Sequence, residues 1–148
     1  FPNWSLEIFG EGSLRKELEL LVAKNNVGRV RFMGHRADAV ERVGTSSVLL
    51  HPASYEGFPL SVCEALAAGT PVVGFEDCSG LNHLVTNNIN GLLSGTNDRV
   101  HDLATCLHKI ISDSSLRDRL SAACPSSVEI YSPDTVIRQW EDIINLSK

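Results

Sequence analysis

Residues 51–69 read HPASYEGFPLSVCEALAAG, and this stretch determines the predicted fold. A largely apolar run at residues 47–50 precedes it, and a second run at residues 71–75 follows it. A Gly-Phe-Pro turn inside the stretch leads into a helix-forming segment. The order strand, loop, helix, strand is typical of a parallel α/β sheet. In such sheets ligands bind outside the carboxyl ends of the strands, where they face helix N-termini.

Length and composition limit the possible functions. A chain of 148 residues with 43% apolar residues is sufficient for one domain with a real core. The net charge is −5 (13 basic and 18 acidic residues) and no basic cluster is present, which argues against nucleic acid as a partner. No apolar run approaches the roughly 20 residues that span a bilayer. Because Phe1 begins the sequence and no signal-peptide pattern follows, we expect a fragment of a longer protein.

The cysteines and histidines do not indicate a metal site. Cys63, Cys78, Cys106 and Cys124 include no Cys-x-x-Cys pair, and no two histidines have metal-ligand spacing on a helix. We therefore expect free thiols of a reducing compartment and a cytoplasmic protein.

The remaining segments alternate between strand and helix patterns. Strands are predicted at residues 4–9, 30–33, 47–50 and 72–75. Helices are predicted after Ser13, at residues 38–43, from about Leu60, at residues 81–85, from Val100, around residues 116–120 and from Pro133 with Ser132 as its cap. This alternation predicts a Rossmann-like α/β fold with a mostly parallel sheet and helices on both faces. We expect residues 1–148 to form a single unit.

Three helices show apolar faces that are expected to pack against the sheet. The predicted faces are Leu14, Leu18, Leu21 and Val22 in the first helix, Val100, Leu103, Ala104, Leu107, Ile110 and Ile111 in the helix from Val100, and Val136, Ile137, Trp140, Ile143 and Ile144 in the last helix.

Glu56 and Glu64 are the candidate functional carboxylates, eight positions apart. Glu64 also has a structural interpretation, since residues 61–64 fit a capping box in which its side chain returns to the Ser61 N–H. Glu56 precedes the helix by several residues, and its alternative interpretation is an ordinary solvated loop residue.

Taken together, the residues around this helix start suit a nucleotide-sugar. Gly57 allows a ligand close to the backbone, and Phe58-Pro59 stiffens the loop. The N–H groups of residues 60–62 point outward from the helix start, where a phosphate can bind without a lysine. Two flanking carboxylates would then meet hydroxyl groups at both ends of the ligand.

Three other features are weaker candidates. Gly10-Glu11-Gly12 lacks the third glycine of a dinucleotide fingerprint, so a simple strand-to-helix turn explains it, although its amides could contact a phosphate or an acceptor. His51 at a strand end and His35 after Gly34 are either ligand contacts or structural residues.

The stretch resembles a known family. Residues 56–64 look like the Glu-x7-Glu motif of the donor-binding domain of retaining, nucleotide-sugar-dependent glycosyltransferases of the GT-B architecture, family 4 type. Residues 65–73 are similar to the usual continuation of that motif. Further similarity lies in residues 9–12 with Leu14, in residues 32–34 and in the segment from Gly80 to Leu92. The resemblance covers about residues 4–95.

The resemblance implies a role for each matching residue. Glu56 would contact hydroxyls of the transferred sugar near the reacting face, which makes it the expected catalytic residue. Glu64 would hold the ribose. The main chain of Gly57, Phe58, Pro59, Leu60 and Ser61 would meet sugar hydroxyls and the diphosphate. The main chain around Met33 and Gly34 would border the base, and Gly10 and Gly12 complete the expected donor-binding set.

The family transfers a hexose with retention of anomeric configuration and needs no metal, so no cofactor is expected beyond the donor substrate. The family's usual Arg and Lys for the diphosphate would precede Phe1, as would the domain that binds a glycan or lipid-linked acceptor. The isolated fragment is therefore expected to be inactive, and the full-length form could associate peripherally with a membrane. The alternatives are a sugar-nucleotide epimerase or phosphorylase of the same architecture and a non-catalytic nucleotide-binding module.

Overall fold

The computed structural model describes residues 1–146, which divide into two compact units: residues 1–41, and the residues from Arg42 onward. Each unit has its own parallel sheet, with two strands in the first and three in the second. The strands form two separate hydrogen-bonded ladders, one in each unit, and the single domain expected for residues 1–148 stays a prediction. The predicted α/β class, with parallel strands flanked by helices, is confirmed.

In the first unit, strand β1 (Leu6–Phe9) pairs with β2 (Val30–Gly34), and helix α1 (Arg15–Lys24) connects them. The prediction of Ser13 as the cap of α1 is wrong, since the N-cap is Leu14 and no side chain caps it. The Arg15 N–H donates to the Gly12 carbonyl at 3.1 Å, and this main-chain turn moves the helix start beyond Ser13.

The predicted apolar face of α1 is present but is not buried. Leu14, Leu18 and Leu21 are exposed, and Val22 is half-buried. Leu14 and Leu18 line a cavity of about 200 Å³ next to β1 instead of filling it. Helix α2 (Ala39–Gly44), close to its predicted place, contains the boundary between the two units.

The second unit has strands β3 (Leu49–His51), β4 (Val72–Phe75) and β5 (Gly91–Ser94), paired in parallel in that order. Its helices are α3 (Leu60–Ala67), α4 (Ser79–Asn82), α5 (Arg99–Ser112), α6 (Ser114–Ser127) and α7 (Pro133–Leu146), with a 3-10 turn at Glu129–Tyr131. The predicted strand at 72–75 is confirmed. The helical turn predicted at 81–85 lies two residues earlier, as α4.

The core of the second unit lies on both faces of β4. Val72 and Val73 are both fully buried, and consecutive strand residues point to opposite faces. Val72 packs with residues of α3 and α4, whereas Val73 packs with residues of α5 and α6. The sheet therefore has apolar clusters on both sides, as the continuous apolar pattern of β4 predicts.

Two predicted helix faces need correction. In α5, Ile110 is buried and Leu103, Leu107 and Ile111 pack partly against the core, but Val100 is 82% exposed and Ala104 is exposed as well. Core packing thus begins one turn after the helix start, and Cys106 takes part in it.

Helix α7 begins as predicted but does not bury its apolar face. The Thr135 N–H donates to Ser132 Oγ at 3.4 Å, so Ser132 is its cap. The face expected to pack is exposed, at Val136, Ile137, Trp140, Ile143 and Ile144. All four cysteines are free, with Cys78 and Cys124 buried. Among residues 1–146, no helix is both long and apolar enough to cross a membrane.

Candidate active site

The loop after β3 leads directly into the N-terminus of α3. Pro59 is the N-cap of this helix, and its carbonyl accepts hydrogen bonds from the Val62 and Cys63 N–H groups at 3.0 and 3.2 Å. The first amides of a helix have no intrahelical acceptor. Within the described part of the chain, the Leu60 and Ser61 amides accordingly donate to no main-chain carbonyl. The helix start therefore offers free donors to an anion, as the sequence predicts.

The capping-box interpretation of Glu64 is wrong. Ser61 is the second residue of α3, not its N-cap, and no side chain caps the helix. Because Pro59 has its φ fixed by its ring and supplies the capping carbonyl, the helix begins one residue before Ser61. Glu64 lies on the exposed surface of α3 and forms no ion pair among residues 1–146. Its carboxylate has no structural task there.

Glu56 lies in the loop beside the end of β3. Its side chain is 38% exposed, and its Oε1 is 3.7 Å from Nε2 of His51, the last residue of β3. The Glu56 carbonyl accepts a hydrogen bond from the Gly80 N–H at 3.0 Å. The main chain at Glu56 is therefore fixed while its carboxylate remains available to a ligand.

Gly80 is the residue that lets this loop lie so close to α4. A Cβ at this position would be 2.4 Å from the Glu56 carbonyl oxygen and 2.6 Å from that of Gly57. A Cβ at Gly57, by contrast, would meet no atom within 4 Å. The open space at Gly57 agrees with the predicted close approach of a ligand. The contact at Gly80 was not predicted, because no local pattern links residues 24 positions apart.

His51 is a half-buried histidine at the end of β3. Its Nε2 is buried and makes no hydrogen bond to the described residues. Burial lowers the pKa of His51, and the nearby Glu56 carboxylate offsets this effect in part. The imidazole is therefore neutral near pH 7. The sequence left the role of His51 open, and the structure places it against the candidate catalytic carboxylate.

Phe58 and Pro59 stiffen the loop, as the sequence predicts. Pro59 is buried, and the ring of Phe58 packs edge-on against Tyr131 with centroids 5.0 Å apart. Tyr131 lies in the 3-10 turn that precedes α7. The sequence could not reveal this support, since Tyr131 lies more than 70 residues further along the chain.

Arg99, a residue that sequence reasoning missed, connects the loops at the carboxyl edge of this sheet. It is the first residue of α5 and donates to Asp77 Oδ2 at 2.7 Å and to Ser54 Oγ at 3.0 Å. Its guanidinium carbon lies 3.7 Å from the centroid of the Phe75 ring.

The remaining predicted residues lie in the first unit. Gly10 and Gly34 have φ values of +109° and +68°, and the Gly10 N–H donates to the Gly34 carbonyl at 2.8 Å. Gly10 and Gly12 line the cavity next to β1, and Met33 is half-buried in β2. This geometry is a simple strand-to-helix turn. We predict such a turn from the sequence because residues 10–12 lack the third glycine of a dinucleotide fingerprint. No cluster of potential metal ligands occurs among residues 1–146.

Comparison with known proteins identifies the family. A family model described as "Glycosyl transferases group 1" matches residues 1–126. The chain belongs to this family. It is 29% identical over 145 residues to an uncharacterized glycosyltransferase of Haemophilus influenzae, covering 97% of this chain and 41% of that protein.

Two further proteins extend this comparison. The N,N'-diacetylbacillosaminyl-diphospho-undecaprenol alpha-1,3-N-acetylgalactosaminyltransferase of Campylobacter jejuni is 30% identical over 115 residues, which are 78% of this chain and 30% of that protein. The crystal structure of Anabaena Alr3699/HepE in complex with UDP superimposes with a TM-score of 0.86 at 22% identity, covering 98% of this chain and 42% of that chain. The group 1 glycosyltransferase chain thus spans less than half the length of these proteins.

Proposed function

We propose that this chain is the donor-binding, C-terminal domain of a retaining glycosyltransferase of the family 4 type, which transfers a hexose from a nucleotide-diphosphate sugar. The observation that carries the proposal is the pair Glu56 and Glu64 on either side of the free amides at the start of α3. Among residues 1–146, Glu64 forms no ion pair, and the Glu56 carboxylate is 3.7 Å from the His51 imidazole and remains 38% exposed. A helix start between two acids suits a diphosphate between two hydroxyl-bearing groups.

Each residue has a role in this proposal. Glu64 binds the ribose hydroxyls, and Glu56 binds the transferred sugar near its reacting carbon. The amides between Gly57 and Ser61 bind the diphosphate and sugar hydroxyls, where they stabilise the charge that develops on the leaving phosphate. The main chain at Met33 and Gly34 borders the base. In the turn formed by Gly10 and Gly12, the Gly12 amide contacts a phosphate or the acceptor, since the Gly10 amide already donates to the Gly34 carbonyl.

The proposal includes no metal, because the helix dipole and cationic side chains offset the charge of the diphosphate. The acceptor is a glycan or a lipid-linked molecule bound by a separate domain. The name of the Campylobacter relative, which includes an undecaprenol diphosphate acceptor, supports this class of acceptor. The four free cysteines support a reducing, cytoplasmic compartment, with peripheral membrane association of the full-length form.

Calorimetric titration with nucleotide-sugars tests the proposal. UDP is the first nucleotide to test, since the similar Anabaena structure contains it. We expect the full-length protein to bind UDP and at least one of UDP-glucose, UDP-galactose and UDP-N-acetylglucosamine. Parallel titrations with ADP and GDP sugars cover the other bases. Absence of binding to every nucleotide would contradict the proposal.

Product analysis tests the reaction itself. We expect transfer to an acceptor with the sugar's anomeric configuration retained, and loss of transfer in Glu56→Gln. An epimerised sugar or a sugar phosphate as the product, without acceptor, would instead indicate an epimerase or a phosphorylase. Binding without turnover in the full-length protein would indicate a regulatory module.

A further inference from the structure

Arg99 joins the segments that follow three neighbouring strands. It lies in the first turn of α5, after β5, and its two donors reach Asp77 in the loop after β4 and Ser54 in the loop after β3. Its guanidinium also stacks on Phe75, the buried last residue of β4. One side chain therefore fixes the relative positions of these loops at the carboxyl edge of the sheet.

The loop after β3 is held by two hydrogen bonds close to Glu56. Ser54, two residues before Glu56, accepts from Arg99 at 3.0 Å. The carbonyl of Glu56 itself accepts from Gly80 at 3.0 Å. Only Tyr55 lies between these two points, so the position from which the Glu56 side chain extends depends on both contacts.

An arginine suits this position better than a lysine would. A partly exposed ion pair such as Arg99–Asp77 contributes little stability by itself. The guanidinium plane, however, serves two acceptors at fixed angles while its face stacks on an aromatic ring, whereas an ammonium is a single compact donor. The contacts of Arg99 therefore fix the positions of the two loops more than they stabilise the fold.

We propose that Arg99 is a positioning residue for sugar transfer: it holds the Ser54–Glu56 loop so that the Glu56 carboxylate meets the transferred sugar. This inference rests on the proposed function, because it requires that Glu56 contact the sugar of the donor. It predicts that Arg99 affects the sugar end of the donor and not its nucleotide end, since Glu64 and the Leu60 and Ser61 amides are on α3, beyond the point where Gly80 holds the loop.

The test compares UDP with the UDP-hexose that the wild-type full-length protein binds most tightly. The variants are Arg99→Met, Arg99→Lys, Ser54→Ala and the double variant with Arg99→Met and Ser54→Ala. The control is Arg119→Met, which removes another exposed guanidinium that donates to the Asn88 carbonyl at 2.8 Å. Affinities come from calorimetry, kcat and KM from initial rates, and melting temperatures report on folding.

We expect the affinity for UDP to change less than about twofold in Arg99→Met, while kcat for transfer falls about 10- to 100-fold, the usual cost of a misplaced catalytic group. Arg99→Lys should not restore kcat. Ser54→Ala should lower kcat in the same direction, and the double variant should be no worse than Arg99→Met alone, because both changes break the same contact. Arg119→Met should behave like wild type.

Three outcomes would overturn the inference. The first is an unchanged kcat in both Arg99→Met and Ser54→Ala, and the second is an equal loss of UDP and UDP-hexose affinity. The third is additive losses in the double variant. If Arg99→Met does not fold, the kcat of Ser54→Ala still tests the inference, since this variant leaves the Arg99–Asp77 and Arg99–Phe75 contacts in place. Failure of the proposed function gives a different result, namely a wild-type protein that binds no nucleotide-sugar at all.

Discussion

The segments β1–α1 and β3–α3 have the same local plan, in which a parallel strand is followed by a turn with glycine and acidic residues and then by a helix. They differ in what lies behind the helix. α1 has no buried residue, whereas α3 buries Val62, Ala65 and Leu66. They also differ in their acids, because Glu11 pairs with Arg15, while Glu64 has no such partner among the described residues. Both segments thus have a glycine turn at the end of a strand. The candidate site differs in having a helix with buried residues and, at Glu64, a carboxylate without an ion-pair partner among residues 1–146.

The first and largest test concerns the packing behind each helix. Leu66→Ala in α3 should lower the free energy of unfolding by about 2–5 kcal/mol, because Leu66 is fully buried and the substitution leaves a cavity. Leu18→Ala in α1 should cost less than about 1 kcal/mol, since Leu18 is 41% exposed. Urea unfolding measures both. Equal losses would remove the distinction between the two helices.

Gly80→Ala tests the contact that fixes the Glu56 loop. The new Cβ would approach two backbone carbonyls that cannot move independently, so we expect a loss of about 1–3 kcal/mol in the free energy of unfolding, together with weaker donor binding. Gly57→Ala is the matched control for stability alone, because a Cβ there meets open space in the protein but lies where the donor is proposed to bind. It should change stability by less than about 0.5 kcal/mol. A stable Gly80→Ala variant with normal donor affinity would show that the loop is not fixed in this way.

Glu64→Ala separates a binding role from a capping role. Loss of charged hydrogen bonds to the ribose is worth about 1.5–3 kcal/mol, so the Kd for UDP should rise about 10- to 150-fold. The free energy of unfolding should change by less than about 0.5 kcal/mol, since Glu64 does not cap α3. Glu11→Ala is the comparison in the other segment and should leave the Kd nearly unchanged. A stability loss typical of a broken cap, or a Kd unaffected by Glu64→Ala, would refute this assignment.

His51 gives the smallest expected effect, a pH dependence of stability. Burial lowers its pKa in the folded state below the ordinary value of about 6.5, so the unfolded chain binds a proton first as the pH falls. Stability should therefore be greatest above about pH 6.5 and should decrease below that value, until the pH passes the folded-state pKa. Melting curves from pH 7.5 to 5 should show a shallower decrease for His51→Gln than for wild type. The exposed His35→Gln is the control, and an unchanged wild-type slope in His51→Gln would contradict the prediction.

The sequence predicted the second unit well where its signals were local. The strand at 72–75, the Ser132 cap and the order of helices all follow from neighbouring residues, and so does the helix start between Glu56 and Glu64. The two predicted helix caps are wrong because main-chain groups take the place of the expected capping side chains. A proline carbonyl caps α3, and a turn at Gly12 moves the start of α1 beyond Ser13. Errors also occurred where burial decided, as at Val100 and on α7, since periodicity shows which residues share a face but not what covers it.

The supporting contacts of the site were beyond sequence reasoning for a different reason. Gly80, Arg99 and Tyr131 contact the loop from 24, 45 and 73 residues further along the chain, and only the folded sheet brings them to its edge. Their residue types carry no signal of their own. A single glycine, arginine or tyrosine near a helix start does not indicate which distant loop it contacts.

The hydrogen bond from Gly80 to the Glu56 carbonyl has a consequence for protein engineering. Because the loop is attached here through its main chain, the side chain of Tyr55, which is 81% exposed, can be exchanged without removing that bond. A library that varies this position would retain the anchor at Gly80 and the Phe58–Tyr131 contact while changing the surface near Glu56. Under the proposed function, such a library would change donor preference and leave the contacts that hold the loop in place.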